Sequence, residues 1–400
     1  MKADLLHFQR PLLHSPFHPR VAALNRINSW APWGGYTTAL SLDDESMEYT
    51  AIRNQVSVYD LSPMVKYRVM GKDAEAYLNR VMIRNVSKLK VGQVHYTAWC
   101  DDAGKLLDDG TLFHFAETEY WICCQERHLP WFRDAAIGYD VTVEDVTTYI
   151  AALSLQGPCA FAVLEKAGFA KAAELKPFQM MSVKFGGKGM LTISRTGFTG
   201  DLGYELWTTP DRALELWDLL FDAGALFGIR AIGTTALNMA RLEAGFIITN
   251  YEFTPADQAV RADRTRSPFE VGLEWMIDFD KGHFNGRRAL LRERESKSTK
   301  WALVGLELEG NISGEHSLIY HNKQHEVGHI TGAVWSPVLK SNIALAMLER
   351  PYHDAKASDL WVEIYALREL QYVKLMVKAK VVPRPFFNPP RRRANPPGRF

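Results

Sequence analysis

Residues 195–205 read RTGFTGDLGYE and place three glycines within seven positions, directly after a predicted strand over 190–196. Glycines allow a backbone to approach a flat ligand closely. Glu205 ends the stretch on a second predicted strand with apolar neighbours, and a buried carboxylate needs hydrogen-bond donors. A planar heterocycle with N–H and amino groups would supply them. The stretch predicts either a ligand-facing hairpin turn or a hairpin turn with a paired, structural glutamate.

Patterns on both sides of this stretch predict an α+β body. Antiparallel strands are predicted between residues 94 and 124, and a buried strand over 151–155. Thr-Pro-Asp at 209–211 is a good helix start, and a further helix over 239–245 ends on glycine. Residues 1–35, rich in Pro, His and Trp, are predicted to be irregular.

The C-terminal third has a different composition. Residues 291–300 (LRERESKSTK) predict a charged connector. Short alternating strands separated by Gly and Pro turns follow between residues 302 and 377, a pattern typical of a small β-barrel. Residues 383–400 are rich in Pro and Arg and predict a disordered tail. The arginine run at 391–393 could contact an anion, but a solvated tail is the expectation.

Charge and cysteine usage exclude several classes of function. The 400 residues carry 47 Lys and Arg against 46 Asp and Glu, a net charge of +1, so neither a nucleic acid nor a membrane partner is expected. The four cysteines show no CxxC spacing, and His321, His325 and His329 fall in a β-rich region, so no metal site is expected. The sequence shows no signal peptide or membrane-spanning run, and a cytoplasmic location is expected.

Two further motifs could carry chemistry. In residues 104–110 (GKLLDDG) a hairpin turn leads into Asp108 and Asp109. Side chains alternate along a strand, so one carboxylate can face a pocket and manage a proton or hold an amine. The competing interpretation makes both of them surface turn residues. In residues 241–245 (RLEAG), Arg241 and Glu243 lie on a predicted helix, either beside a site or as a helix-capping charge pair.

The ordered set of motifs resembles the glycine-cleavage T-protein (aminomethyltransferase) superfamily, which also holds tetrahydrofolate-dependent demethylases. The matching motifs occur in family order and cover roughly residues 30–350. They are VYDLSPM at 58–64, NVSKL at 85–89, LDD at 107–109, LQGP at 155–158, TGFTGD and GYE within 196–205, RLEAG at 241–245, SP at 267–268, FNGRRAL at 284–290, GHITG at 328–332, SP at 336–337 and NIALA at 342–346.

The resemblance implies an α+β fold with a three-unit cloverleaf body of ferredoxin-like units, a central folate channel and a C-terminal small β-barrel. The folate-binding body is expected over 1–290. Its two interleaved units are expected to comprise 1–70 with 150–290, and 71–149. The barrel is expected over 291–382, followed by the disordered tail at 383–400.

By the family pattern, Asp108 is the catalytic carboxylate beside the reactive folate amine, and Glu205 binds the pterin ring. Met64, Tyr96 and Phe198 would line the folate slot. Tetrahydrofolate is the expected cofactor.

Three departures from the aminomethyltransferase pattern are visible. The Arg-Asp pair that usually precedes RLEAG is Leu237-Asn238 here, Ser-His-Met has become Ser-Pro-Met at 62–64, and Phe198 replaces a tyrosine. A true T-protein receives its aminomethyl group on a lipoyl carrier protein. These departures argue against a lipoyl carrier partner and favour a free, small methylated substrate.

The predicted function is therefore transfer of a methyl group from a small S-, N- or O-methylated substrate to tetrahydrofolate, by aligned in-line attack of the folate amine. Trp30, Trp33, Tyr36 and Tyr251 could contact that substrate, although large aromatics are more often core residues. The alternatives are a lipoyl-linked aminomethyltransferase, a non-catalytic folate-binding protein, or the folate domain of a flavin-linked demethylating oxidase.

Overall fold

The computed structural model of the protein describes residues 11–187, 189–354 and 359–398. Its helices are α1 His18–Leu24, α2 Glu45–Asn54, α3 Ala74–Val81, α4 Leu129–Ala135, α5 Ala160–Lys166, α6 Ala213–Gly224, α7 Thr234–Glu243 and α8 Arg287–Ser296. Its strands are β1 Ser29–Trp33, β2 Tyr36–Ser41, β3 Val56–Asp60, β4 Val65–Met70, β5 Val94–Cys100, β6 Leu106–Ala116, β7 Glu119–Cys124, β8 Thr142–Asp145, β9 Ala151–Gln156, β10 Met180–Phe185, β11 Gly189–Ser194, β12 Gly203–Thr208, β13 Ile229–Ala231, β14 Trp301–Leu308, β15 Leu318–His321, β16 His325–Ser336, β17 Ser341–Glu349, β18 Leu360–Arg368 and β19 Gln371–Val382.

The chain divides into two compact units. The first contains the described parts of Met1–Tyr67, Asp145–Asn238 and Pro390–Phe400, and the second contains those of Arg68–Glu144 and Met239–Pro389. No described helix is long and apolar enough to cross a membrane.

The first unit is built on a six-stranded sheet in the order β10-β11-β12-β9-β3-β13, in which β13 runs parallel to β3 and the other pairs are antiparallel. β9 is buried along its whole length, as the buried strand predicted over 151–155 requires. Its Leu153 and Leu155 join Leu216 and Leu220 of α6 in one apolar core. The glycine-rich stretch forms the loop between β11 and β12, and Glu205 is the third residue of β12.

The second unit contains the five-stranded sheet β5-β6-β7-β4-β8 and a closed barrel in the order β14-β17-β16-β15-β18-β19. The predicted α+β class and the C-terminal barrel are therefore confirmed. The first strand of the barrel begins at Trp301. The predicted connector before it, residues 291–300, is largely helical, since α8 extends to Ser296. α8 begins after Gly286, whose φ of 80° suits glycine at the residue that caps the helix.

Residues 239–290 group with the barrel in the second compact unit. The physical reason is a shared apolar core. Leu242 and Phe253 pack in one buried cluster with Leu345 and Met347 of β17. Burial of apolar surface is the main stabilising contribution to folding, so this cluster decides which unit the segment joins.

Both chain ends depart from the sequence-based expectation. Residues 1–10 lie outside the described part, but α1 and the β1–β2 hairpin replace the irregular structure predicted up to residue 35. Residues 383–398, predicted to be a disordered tail, instead contact the rest of the chain. In the second unit, the backbone N–H of Phe387 donates to the Glu243 carbonyl at 2.9 Å. In the first unit, Arg391 forms an ion pair with Asp201.

Candidate active site

Asp108 and Asp109 are neighbours on β6, opposite Trp99 and Ala98 of β5. The carboxylate of Asp108 has no exposed surface. It accepts hydrogen bonds from the backbone N–H groups of Asp109 at 2.9 Å and Glu126 at 3.0 Å, and from the hydroxyl of Thr249. Backbone and hydroxyl donors therefore surround this carboxylate, as a buried charge requires. In the free protein the Asp108 carboxylate therefore has no surface open to a ligand.

Asp109 is the member of the pair that keeps solvent contact, and it is half-buried. Its Oδ2 accepts a hydrogen bond from the Tyr96 hydroxyl at 2.6 Å, and its Oδ1 lies 3.3 Å from the Thr249 hydroxyl. Burial, and then the negative charge of Asp108, raise the pKa of Asp109 to about 7. A carboxyl group in this state can gain and lose a proton near neutral pH.

His128 supports the Asp108 side of the pair. It is 2% exposed, and its Nε2 lies 3.3 Å from Asp108 Oδ2. Its ring packs edge-on against Trp99, with centroids 5.9 Å apart. On its other side, Nδ1 lies 3.7 Å from Oδ2 of Asp257, whose side chain is 44% exposed. Sequence reasoning missed His128 and Thr249. Thr249 is 141 residues from Asp108 in the chain, and His128 lies in no recognisable local motif.

The neighbouring ion pair joins Arg241 to Glu252. Arg241 Nη1 donates to Glu252 Oε1 at 2.8 Å, and both side chains have no exposed surface. The same oxygen accepts from Thr331 at 3.1 Å. Glu243 instead accepts a hydrogen bond from Ser336. The pair holds the segment around residue 250 in place, since Arg241 also donates to the Phe246 carbonyl and Glu252 accepts from the backbone N–H of Ile248.

Tyr251 remains available at the surface of this region. It is 47% exposed, and the Arg241 guanidinium carbon lies 5.4 Å from the centroid of its ring. Burial raises the pKa of Tyr96 well above its usual range, and Asp109 raises it further, so Tyr96 stays protonated and donates to Asp109. The second unit thus brings Tyr96 and the two aspartates together, and Tyr251 is two residues from the Asp108 partner Thr249.

The first unit holds the other predicted folate residues. Glu205 is half-buried on β12, opposite Ser194 of β11. Burial raises the pKa of Glu205 to about 7, while a hydrogen bond from Thr196 and the charge of Lys66 act in the opposite direction. Glu205 therefore has a cation and a hydroxyl donor beside it, and can change protonation near neutral pH.

Lys66 is a buried cation that the sequence analysis did not single out. It has no exposed surface, and its Nζ donates to the carbonyls of Leu61 and Ser62 at 3.2 Å and of Met64 at 2.7 Å. It therefore fixes the turn that carries Met64, which is itself half-buried.

The glycine-rich loop is folded around Gln156. The Gln156 side chain lies so close to Gly197 and Gly203 that a Cβ atom at either position would overlap it. Its amide nitrogen donates to the Thr196 and Tyr204 carbonyls at 3.3 Å. Two of the three glycines are therefore required by packing inside the loop. Phe198, between them, is half-buried.

Three of the four proposed substrate aromatics lie in the first unit and have structural partners. The Trp30 indole donates to Asn28 at 2.8 Å, and its ring packs against the core. Trp33 lies with its ring centroid 6.0 Å from that of Tyr59. Tyr36 is 4% exposed, which leaves almost no ring surface for a ligand. Trp30 and Trp33 are half-buried, and Tyr251 is the most exposed of the four.

The described residues contain no cluster of three or more His, Cys, Asp or Glu side chains placed to hold a metal ion. His321 ends β15 and His325 begins β16, where the two residues are paired across the hairpin. His329 lies farther along β16, opposite Leu318, and burial lowers its pKa to about 4.

Comparisons with known proteins agree with this architecture. Residues 16–281 match the GCVT N-terminal domain, and residues 302–388 match the glycine cleavage T-protein C-terminal barrel domain. The chain resembles a glycine cleavage aminomethyltransferase T structure from Bartonella henselae with a TM-score of 0.82, at 21% identity, covering 94% of this chain and 98% of that one. At this identity the likeness concerns the fold.

Several curated relatives are more similar in sequence. An aminomethyltransferase of Caldanaerobacter subterraneus is 31% identical over 80% of this chain and 84% of its own length. One of Bacillus subtilis is 30% identical over 89% of this chain and 94% of its own length. A trimethylamine-oxide aldolase of Ruegeria pomeroyi is 33% identical over 84% of this chain, which spans only 43% of that protein. The chain therefore belongs to the glycine-cleavage T-protein family, a family of tetrahydrofolate-dependent one-carbon transferases.

Proposed function

We propose that the chain moves a methyl group from a small S-, N- or O-methylated substrate to tetrahydrofolate, with Asp109 as the proton acceptor. The observation that carries the proposal is the half-buried carboxylate of Asp109, with a pKa of about 7 and a hydrogen bond from Tyr96. A base whose pKa lies near the working pH is effective in proton transfer.

The proposed reaction is an in-line displacement. The secondary amine of the reduced pterin attacks the methyl carbon, and the bond from that carbon to nitrogen, sulfur or oxygen breaks with its electron pair. The attacking amine then loses its proton to the Asp109 carboxylate. Alignment of the two reactants supplies much of the rate in such a reaction.

Asp109 replaces Asp108 in this role because of accessibility. Asp108 is fully buried among backbone and hydroxyl donors, whereas Asp109 reaches the surface of the same strand. In the proposal, the charge of Asp108 raises the pKa of Asp109. Tyr96 orients the Asp109 carboxylate through its hydroxyl.

A methylated amine is the first donor to test. The carboxylates of Asp109, Asp108 and Glu252 all act on Tyr96, and such a setting favours a cationic amine. The half-exposed ring of Tyr251, the chain neighbour of Glu252, is the aromatic face proposed to contact that amine. The similarity to a protein named trimethylamine-oxide aldolase supports the same substrate class, although this chain matches less than half of that protein.

Folate binding is proposed to use the first-unit residues. Glu205 would bond to the N–H and amino groups of the pterin, while Met64 and Phe198 would line the slot. The half-buried state of all three supports this assignment, since each keeps surface for a ligand while its backbone is fixed. A cytoplasmic location is part of the proposal and is supported by four free cysteines.

Lipoyl-linked aminomethyl transfer is the second candidate. The aminomethyltransferases at 30–31% identity, which match 80–89% of this chain, favour it. The Leu237-Asn238 and Ser-Pro-Met departures are the reason to rank it second.

The decisive experiment incubates the protein with tetrahydrofolate and a panel of S-, N- and O-methyl compounds, and follows methyltetrahydrofolate by mass spectrometry. A parallel reaction contains an aminomethyl-lipoyl carrier protein and follows ammonia and methylenetetrahydrofolate. Methyltetrahydrofolate formed with a free donor is the expected result. Product in the carrier reaction alone would replace the proposal with the second candidate, and no product in either would refute both.

A further inference from the structure

The arginine run that the sequence analysis left as part of a solvated tail has a specific partner. Arg391 contacts the carboxylate of Asp201 with two nitrogens, Nε to Oδ1 at 2.6 Å and Nη2 to Oδ2 at 2.7 Å. The Asp201 side chain has no exposed surface, while that of Arg391 is 30% exposed. Bidentate, charge-assisted contacts of this kind are among the stronger hydrogen-bonded pairs in proteins.

A second arginine completes the arrangement. Arg53, at the end of α2, lies with Nη1 3.6 Å from Asp201 Oδ2 and donates to the Thr199 carbonyl at 2.9 Å. Arg391 Nη2 also donates to the Arg53 carbonyl at 3.0 Å. The Asp201 carboxylate thus lies between two guanidinium groups, that of Arg53 on α2 and that of Arg391 in the tail.

The tail also contacts the start of the glycine-rich loop. Arg195 Nη2 donates to the Ala394 carbonyl at 2.5 Å, and Arg195 Nη1 donates to the Leu175 carbonyl at 2.8 Å. Residues 391–394 therefore bind the loop at two points, Arg195 before its glycines and Asp201 among them.

The bound loop is the one that presents the proposed folate residues. Phe198 lies between these two contacts, and Glu205 follows on β12. Three glycines give the loop backbone much conformational freedom in the unbound state. Gln156 restrains the loop from inside through Thr196, Tyr204 and the Thr199 hydroxyl, which donates at 3.0 Å. Arg391 and Ala394 restrain it from the tail.

We propose that Arg391 is a positioning residue for tetrahydrofolate binding. Arg391 acts through Asp201 to hold the glycine-rich loop in its binding conformation. The inference rests on the proposed folate roles of Phe198 and Glu205. It makes Arg391 and the Ala394 carbonyl supports of the folate site, although neither need touch the ligand.

The test compares Arg391→Ala with Arg393→Ala, a matched control at an exposed arginine of the same run. Tetrahydrofolate affinity is measured by calorimetry, and unfolding temperature by scanning calorimetry. Arg391→Ala is expected to weaken tetrahydrofolate binding about tenfold, the value of one charge-assisted interaction. Arg393→Ala is expected to bind like the parent protein. Where turnover is measurable, KM for tetrahydrofolate should rise while kcat at saturation changes less than about twofold.

Chemical rescue separates positioning from general destabilisation. Guanidinium at millimolar concentration should restore part of the affinity of Arg391→Ala and none of that of Asp201→Asn, because the ion needs the carboxylate. Unchanged affinity in Arg391→Ala would overturn the inference, and so would a loss that guanidinium does not reverse. Absence of tetrahydrofolate binding to the parent protein would instead refute the proposed function.

Discussion

Asp109 in the second unit and Glu205 in the first are carboxyl groups of similar acidity in opposite surroundings. Burial raises the pKa of each to about 7. The carboxylate of Asp108 contributes to the raised pKa of Asp109. The charge beside Glu205 is the buried ammonium of Lys66, which lowers the pKa of Glu205.

The contrast indicates two different kinds of work. A carboxylate beside a second carboxylate gains stability when it accepts a proton, which suits a general base. A carboxylate beside a cation and a hydroxyl donor is held in the charged form more readily, which suits binding of a donor-rich ring. Similar acidity in the free protein therefore does not imply the same role, and the neighbours distinguish the two.

Among the substitutions that test this contrast, Asp109→Asn is expected to have the largest effect on activity. We expect kcat for methyl transfer to fall about 1000-fold, the size of a general-base contribution, with tetrahydrofolate affinity nearly unchanged. The measurement is methyltetrahydrofolate formation, with Asp102→Asn on the exposed hairpin turn as the matched control. An Asp109→Asn protein that keeps most of its turnover would remove the proposed base.

Glu205→Gln should affect binding instead of chemistry. We expect tetrahydrofolate affinity to fall about tenfold to a hundredfold, because one or two hydrogen bonds to a charged group are lost. Calorimetric titration measures the effect, and Glu174→Gln, an exposed glutamate of the same unit, serves as the control. Equal affinity in the Glu205→Gln and parent proteins would refute the pterin assignment.

A smaller effect should appear in the pH dependence of stability. Both groups have folded-state pKa values above those of an unfolded chain, so the parent protein loses stability as the pH rises from about 4 through about 7. The amide variants cannot ionise, so they do not undergo this loss of stability. We expect Asp109→Asn to raise the unfolding temperature by roughly 2 °C at pH 8, and to raise it less at pH 5.

Glu205→Gln should show a smaller increase at pH 8, since its lost charge also leaves Lys66 without that neighbour. Differential scanning calorimetry at the two pH values measures both variants. An Asp109→Asn protein less stable than the parent at pH 8 would contradict the burial argument.

Much of the architecture was predictable from local patterns. Periodicity and turn residues predicted β9, the helix after Thr209 and the C-terminal barrel, because the spacing of apolar and turn residues is visible within each element whatever it pairs with. The ordered motifs predicted the family. The division at residue 239 was not predictable in this way, since it depends on Leu242 and Phe253 packing against a strand about 100 residues later.

The sequence by itself determined that a pair of aspartates follows a hairpin turn, and that a glycine-rich turn leads to a glutamate on a strand. Alternation along a strand predicts that the two aspartates face opposite ways, whereas in the structure both carboxylates approach the Thr249 hydroxyl. Only the tertiary structure decided that Asp108 faces inward, because its donors include Thr249, 141 residues away. Likewise Arg391 reaches Asp201 across 190 residues. Partners so distant in the chain leave no local pattern, and packing alone brings them together.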